Sequence, residues 1–291
     1  MSTLSPAVPP SWFLNCLSTP CRSAFFNIDA KKYHYLEWGD NNKPSIVFLH
    51  GALANAYWFM PIAPLLSKDF FVRSLSLAGH GRSDWHDSYE LETLLDTIEH
   101  CLNLGTREPG YLVGHSLGAR IALLYAQTRQ HRLKGLCLLD PPFGPRIGLP
   151  RRHTTKDHPP VIRKHRYASD EQILIDRFCV LPAQPKHNPF LYDYIARNSI
   201  HSDSQGYRWQ FDPNFFTKIK FPSAALTSTI QPTCQLSLIA GKNSQITTAE
   251  VIAGYQKLFA QLQCFSLDQS WHALMLDQPQ DLAKLLQQVC H

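Results

Sequence analysis

Gly110-Tyr111-Leu112-Val113-Gly114-His115-Ser116-Leu117-Gly118-Ala119 is the stretch on which the fold turns. Gly110 to Val113 is a short apolar run of the kind that makes a buried strand. Ala119 to Gln127 spaces Ile121, Ala122, Leu124 and Tyr125 as a helix does. Between the two lies Gly-x-Ser-x-Gly. So tight a passage from strand to helix strains the backbone of the central serine, and side chains at Gly114 or Gly118 would collide with the adjoining elements. The strain lifts the Ser116 hydroxyl to the end of the strand, beside a helix N-terminus whose free amides favour negative charge. Such a serine is a candidate nucleophile.

Outward from this turn, strands and helices alternate. Ser45–Leu49 and Leu133–Leu139 are unbroken apolar strands, as expected of parallel strands buried on both faces. Phe70–Leu77 is a further strand, and Ser88–Leu104 has helical periodicity ending at Gly105. Ser23–Phe26 and Lys32–Trp38 read as two strands joined by a turn, and Ala56–Ser67 as a helix broken or started by Pro61. The pattern resumes with a strand at Cys234–Ala240, a helix at Thr247–Leu258, a strand at Gln263–Leu267 and a closing helix at Gln278–Val289. Alternation of this kind implies an α/β domain: a mostly parallel central sheet with helices on both faces.

Between Phe143 and Pro232 the alternation stops. The segment is rich in proline, arginine and histidine, with helical fragments near 170–179 and 190–198, and reads as an inserted, mainly helical cap. The expected organisation is an N-terminal arm over 1–22, a core of 23–143 and 232–291, and a cap over 144–231.

Composition narrows the function class. The chain has 291 residues and a formal charge of +5, with 28 Lys and Arg against 23 Asp and Glu. That excess is concentrated between Arg146 and Arg166, where Asp157 is the lone acid among the basic residues. The run can attract an anionic substrate group or simply form a solvated lid. It lacks interleaved aromatics, so no nucleic-acid partner is expected. No apolar stretch of about 18 residues occurs, so no membrane span is expected. The prolines and missing basic residues before Arg22 fit neither a signal nor a transit peptide. The 8 cysteines show no metal-type spacing and are expected to be free thiols in a cytoplasmic protein. No metal site and no cofactor are expected, and the chain is expected to be a monomer or homodimer.

Four ordered motifs carry a family resemblance: His50-Gly51 after a strand, Gly79-His80-Gly81-Arg82-Ser83, Gly114-His115-Ser116-Leu117-Gly118, and His272 before the last helix. The chain resembles the α/β-hydrolase superfamily, in its capped subgroup, over about residues 23–143 and 232–290. The resemblance implies that Gly-x-Ser-x-Gly is the nucleophile elbow. It further implies Ser116 as nucleophile, His272 as base, and the amides of Ala52 and Leu117 as oxyanion donors, with Leu53 the alternative to Ala52. Serine at the elbow argues against the Asp-based dehalogenase and epoxide-hydrolase chemistries of the superfamily.

The acid departs from the family pattern. Gly241-Lys242-Asn243-Ser244 puts serine where relatives commonly have aspartate, and serine cannot offset an imidazolium. Asp140, at the end of the strand after the elbow helix, is the substitute, as in some relatives. Its alternative role is to end the strand before Pro141-Pro142. Asp268 and Asn243 are weaker choices, the first by position and the second by its lack of charge. Trp58, Trp271, His50, Phe143 and Arg120 are expected to bind substrate, with Tyr57 and Phe59 adding to an apolar acyl pocket.

The expected function is a serine hydrolase acting on a small carboxylic ester or thioester through an acyl-enzyme. Two alternatives use the same frame. One is a carbon–carbon hydrolase or lyase whose anionic substrate is held by Arg120 and the cap arginines. The other is a non-catalytic binding protein whose acid decayed to Ser244.

Overall fold

The computed structural model describes residues 8–105, 109–129, 133–143, 166–220 and 231–290. The basic run from Arg146 lies outside the described residues until Arg166 itself.

Helix α1 (Ser11–Ser18) precedes β1 (Arg22–Ile28) and β2 (Lys31–Trp38). β3 (Ser45–Leu49) leads to α2 (Ala63–Leu66) and β4 (Phe71–Leu75). β5 (Tyr89–Glu90) runs into α3 (Leu91–Asn103), followed by β6 (Gly110–His115), α4 (Leu117–Thr128) and β7 (Leu133–Leu139). The described part of the segment between β7 and β11, expected to form the cap, contains α5 (Glu171–Arg177), α6 (Pro189–Arg197), β8 (Ile200–Asp203), β9 (Gly206–Trp209), α7 (Phe215–Lys218) and β10 (Ile219–Lys220). β11 (Gln235–Gly241), α8 (Ala249–Leu258), β12 (Gln263–Leu267), α9 (Leu274–Asp277) and α10 (Pro279–Val289) complete the core.

The 8-stranded sheet has the order β1-β2-β4-β3-β6-β7-β11-β12. β1–β2 and β2–β4 are antiparallel, and the remaining pairs are parallel. β3, buried at all of its residues, sits inside the sheet as its unbroken apolar run requires. Alternate residues feed opposite layers. Ile46, Phe48, Val113 and Leu139 face a core shared with α2 and α10, whereas Val47, Leu49, Leu112 and Leu138 face one shared with α3 and α4. Register pairs Leu49 with Gly114 and His115 with Leu139. The C-terminal ends of β3, β6 and β7 therefore finish side by side, where open α/β sheets bind ligands.

Several elements differ from expectation. The arm contains α1, because Phe13 and Cys16 form one buried stripe three residues apart. Phe13 packs on Phe190 and Tyr194 of α6, with ring centroids 5.3 and 5.4 Å apart. Pro9 and Pro10 precede the helix and Pro20 follows it. Residues 56–67 form a 3-10 turn and the short α2, since Pro61 supplies no amide to a continuous helix. The cap also holds a hairpin. Asp203 Oδ1 accepts the Gln205 N–H at 2.8 Å, and Gly206, at φ +118, turns where a Cβ would strike the Ala168 carbonyl.

The cap is tied to the core by backbone bonds, Gly81 N–H to Gln210 O at 2.6 Å and Asp212 N–H to Gly79 O at 2.7 Å. Its inner face, including Ile175, Phe178, Val180 and Tyr192, packs in one cluster with Trp58 of the core.

Candidate active site

β6 and α4 meet at Ser116, whose backbone stands at φ 52, ψ −114. For a non-glycine residue this costs about 1–3 kcal/mol and persists only where the surroundings over-determine it. They do here. The Ser116 N–H donates to Leu139 O at 3.0 Å, and Arg120 N–H closes the first helical turn on Ser116 O at 3.2 Å. A Cβ on Gly114 would overlap the Gly118 carbonyl, and one on Gly118 would overlap the carbonyls of Leu49 and His50. The glycines thus permit the close approach that their spacing predicts.

His272 lies between β12 and α9, 8% exposed, with Nε2 3.0 Å from Ser116 Oγ and Nδ1 2.6 Å from Asp140 Oδ2. An ionised carboxylate only accepts, so Nδ1 carries the proton and Nε2 turns its lone pair to the serine hydroxyl. Asp140 ends β7 at φ 45 and is fully buried. Its amide donates to Ile239 O at 2.8 Å, which fixes it across the β7–β11 seam. Oδ1 accepts from Gly241 N–H at 3.1 Å, and Oδ2 accepts from Ser244 Oγ at 2.6 Å. The structure thus brings Ser116, His272 and Asp140 together, with Ser244 serving the carboxylate.

Asp268 does not join them. It is exposed and pairs with Lys242 at 2.9 Å. Asn243 is likewise exposed, its amide bonded to Ser270 O at 2.9 Å.

Leu117 opens α4, so its N–H has no acceptor within the helix. A Cβ added to Gly51, the residue before Ala52, would stand 3.2 Å from Ser116 Cβ. The turn carrying Ala52 therefore lies against Ser116, and Leu53 beside it holds φ 61.

Three of the residues expected to bind substrate have other partners in the structure. His50 is fully buried, with Nδ1–H donating to Gly51 O at 2.7 Å and Nε2 accepting Leu77 N–H at 3.0 Å. Both nitrogens are spent on holding the turns after β3 and β4 together, and burial keeps the ring neutral with its pKa well below the usual value. Arg120 is 1% exposed inside the fold near Tyr255 of α8, because α4 is buried on every side from Leu117 to Gln127. Phe143, 42% exposed, packs edge-on against Tyr255 of α8 at 5.1 Å and over Gly254. Phe59 is also core, stacked on Phe48 at 4.6 Å.

The other two aromatics meet the cap. Trp58, 8% exposed, stands edge-on to Phe178 at 6.2 Å, and its indole N–H has no hydrogen-bond partner among the described residues. Trp271 places its ring on His187, with centroids 4.9 Å apart.

His115, which the spacing leaves as the variable residue of the turn, has a definite task. Its Nε2–H donates to the His272 carbonyl at 2.8 Å, and burial pushes its pKa down to about 3. No sequence pattern marks that bond, nor the support Ser244 lends to Asp140. Among the described residues no helix is long and apolar enough to cross a membrane.

Comparison with known proteins covers most of the chain at the family level. The model of the alpha/beta hydrolase family matches residues 46–285. A serine hydrolase-like protein from Homo sapiens is 31% identical over 109 residues, 36% of this chain and 54% of that protein. An (E)-2-((N-methylformamido)methylene)succinate hydrolase from Acinetobacter baylyi is 34% identical over 111 residues, 37% of this chain and 40% of its own. The chain thus spans about half or less of the curated relatives it matches. Among solved structures, the thioesterase domain from the curacin biosynthetic pathway superposes with a TM-score of 0.75 at 21% identity, covering 92% of this chain and 100% of that one.

Proposed function

The chain belongs to the alpha/beta hydrolase family, and on that premise we propose that it is a serine hydrolase cleaving small carboxylic esters or thioesters through an acyl-enzyme. One observation carries the reading: a single imidazole, His272, spans Ser116 Oγ at 3.0 Å and a buried carboxylate, Asp140, at 2.6 Å.

In the proposed sequence Ser116 Oγ attacks the substrate carbonyl as its proton passes to His272 Nε2. Asp140 faces the imidazolium so formed and holds its orientation through Nδ1. The negative charge on the carbonyl oxygen falls to the N–H groups of Ala52 and Leu117, aided by the N-terminus of α4. Collapse of the tetrahedral species breaks the bond to the alcohol or thiol, which leaves with the proton from His272. Water then repeats the cycle on the acyl group and frees the acid. In this reading the acyl chain rests against Trp58 and Phe178, whose rings stand edge-on at 6.2 Å.

Two observations favour this reading over the alternatives that share its frame. A decayed binding protein was suggested by serine at 244, but a carboxylate stands 2.6 Å from His272 Nδ1 by another route. Of the groups that would hold an anionic substrate, Arg120 is 1% exposed, and the cap arginines before Arg166 lie outside the described residues. The test is turnover of p-nitrophenyl acetate and butyrate by the purified chain and by Ser116→Ala. Loss of turnover in the variant is expected, and equal turnover in both would overturn the assignment.

A further inference from the structure

The loop carrying His272 is held at three successive residues. Trp271 N–H donates to Asp277 Oδ2 at 2.8 Å, the His272 carbonyl accepts from His115, and Ala273 N–H donates to Gln184 Oε1 at 2.9 Å. Gln184 Nε2 donates in turn to Asp277 Oδ1 at 2.8 Å. One cap side chain thus closes a ring through both neighbours of the candidate base. Asn188 Nδ2 reinforces it by donating to the carbonyls of Leu276 and Asp277, at 2.8 and 3.0 Å.

Asp277 is 3% exposed, and burial pushes its carboxyl up to about 6. Its bonded partners are neutral donors. Burying a carboxylate among neutral donors is costly, and a purely structural helix start does not need one. At the other end of the same cap segment, Phe178 and Val180 pack in the cluster that contains Trp58. An acyl group seated against Trp58 would therefore press on the stretch that also grips the His272 loop.

We infer that Gln184 and Asp277 are a positioning pair that ties the base to the cap, so that alignment of His272 on Ser116 follows the placement of residues 178–188. The inference rests on the serine-hydrolase reading. Gln184 and Asp277 touch neither substrate nor the reacting atoms; they act through the backbone on either side of His272.

An exchange of donor and acceptor tests it. Gln184→Glu alone sets carboxylate against carboxylate, and Asp277→Asn alone sets amide donor against amide donor. Together they rebuild the ring: the acid at 184 accepts from Ala273 N–H and from the amide at 277, whose oxygen accepts from Trp271 N–H. The readout is the rate constant for phosphonylation of Ser116 by a fluorophosphonate in the full chain, with the final extent of labelling recorded. Each single variant is expected to label to completion but about 10-fold or more slowly, and the double variant to return to within about threefold of the parent. Singles that label at the parental rate, whether fully or in a reduced folded fraction, overturn the inference, as does a double no faster than its slower single. In each of those cases Ser116 remains the nucleophile. A parent chain that takes no label removes the nucleophile itself.

Discussion

Ser244 Oγ lies 2.6 Å from Asp140 Oδ2, the same oxygen that meets His272 Nδ1 at 2.6 Å. Ser244 Oγ also receives the amides of Ile246 and Thr247, at 3.0 and 3.2 Å, so its own hydrogen is directed to the carboxylate. Ser244, which follows β11, thus steadies the carboxylate at the end of the neighbouring strand β7. Ser244→Ala should remove one hydrogen bond to a charged acceptor, about 1.5–3 kcal/mol. A fall in kcat of roughly 10-fold with KM little changed is expected from steady-state ester hydrolysis. No change in kcat would mean that Asp140 needs no help.

Asp140→Asn should lower kcat by about 10⁴, since the imidazolium loses its counter-charge and its tautomer. Adding Ser244→Asp to that variant puts a carboxylate on the same side of the ring and should restore part of the loss. Retention of parental kcat by Asp140→Asn would show that the acid lies elsewhere.

How much of this is legible in the sequence depends on the range of the interactions. The turn at Ser116 is legible because its glycines, its strand and its helix are adjacent in the chain and each obeys a local rule. The strands at Ser45–Leu49, Leu133–Leu139 and Gln263–Leu267 have the bounds their composition suggests. His50, Arg120 and Phe143 depart from expectation because a side chain's direction is set by packing between distant elements. Arg120 offers a charge in sequence, yet it sits on a helix covered on all sides. The hairpin at 200–209 is hidden by short strands with little apolar alternation. Asp277 and Gln184 stand 93 residues apart, and nothing in either neighbourhood announces their contact.

Gly118→Ala should disrupt the elbow, because its Cβ would meet the backbone carbonyl of His50 at 2.6 Å as well as that of Leu49. Backbone cannot move aside as a side chain can, and about 1–3 kcal/mol of stability should be lost along with Ser116 reactivity. Gly105→Ala is the control. It has a positive φ of +69, but its nearest neighbours would be 4.0 Å away. Thermal unfolding should show a loss of about 1 kcal/mol there, with labelling of Ser116 intact. Equal labelling of both variants would contradict the tight-turn argument.

Acid should destabilise the fold through its buried histidines. Burial pushes His34 and His80 down to about 4 and His115 to about 3. The unfolded chain takes up these protons near pH ~6.5, the value of a free imidazole, whereas the folded chain cannot until much lower pH. Their stability is therefore complete above the free value and is lost as pH falls toward about 4, by roughly 3 kcal/mol per group. Asp277, raised to about 6, acts in the opposite sense: its stabilising contribution is present at low pH and lost as pH rises through 6. Three groups outweigh one. Urea unfolding between about pH 7.5 and about pH 4.5 should give a stability that declines on acidification, and a flat or rising profile would contradict the neutral, buried state of these rings.

The most direct measurement is the stoichiometry and site of fluorophosphonate labelling, read by intact mass and peptide mapping, in the parent chain and in Asp140→Asn. A single adduct on Ser116 in the parent, formed about 10³-fold or more slowly in the variant, is the predicted result. A parent that takes no label, or a variant that labels as fast as the parent, would contradict a nucleophile driven by His272 and Asp140.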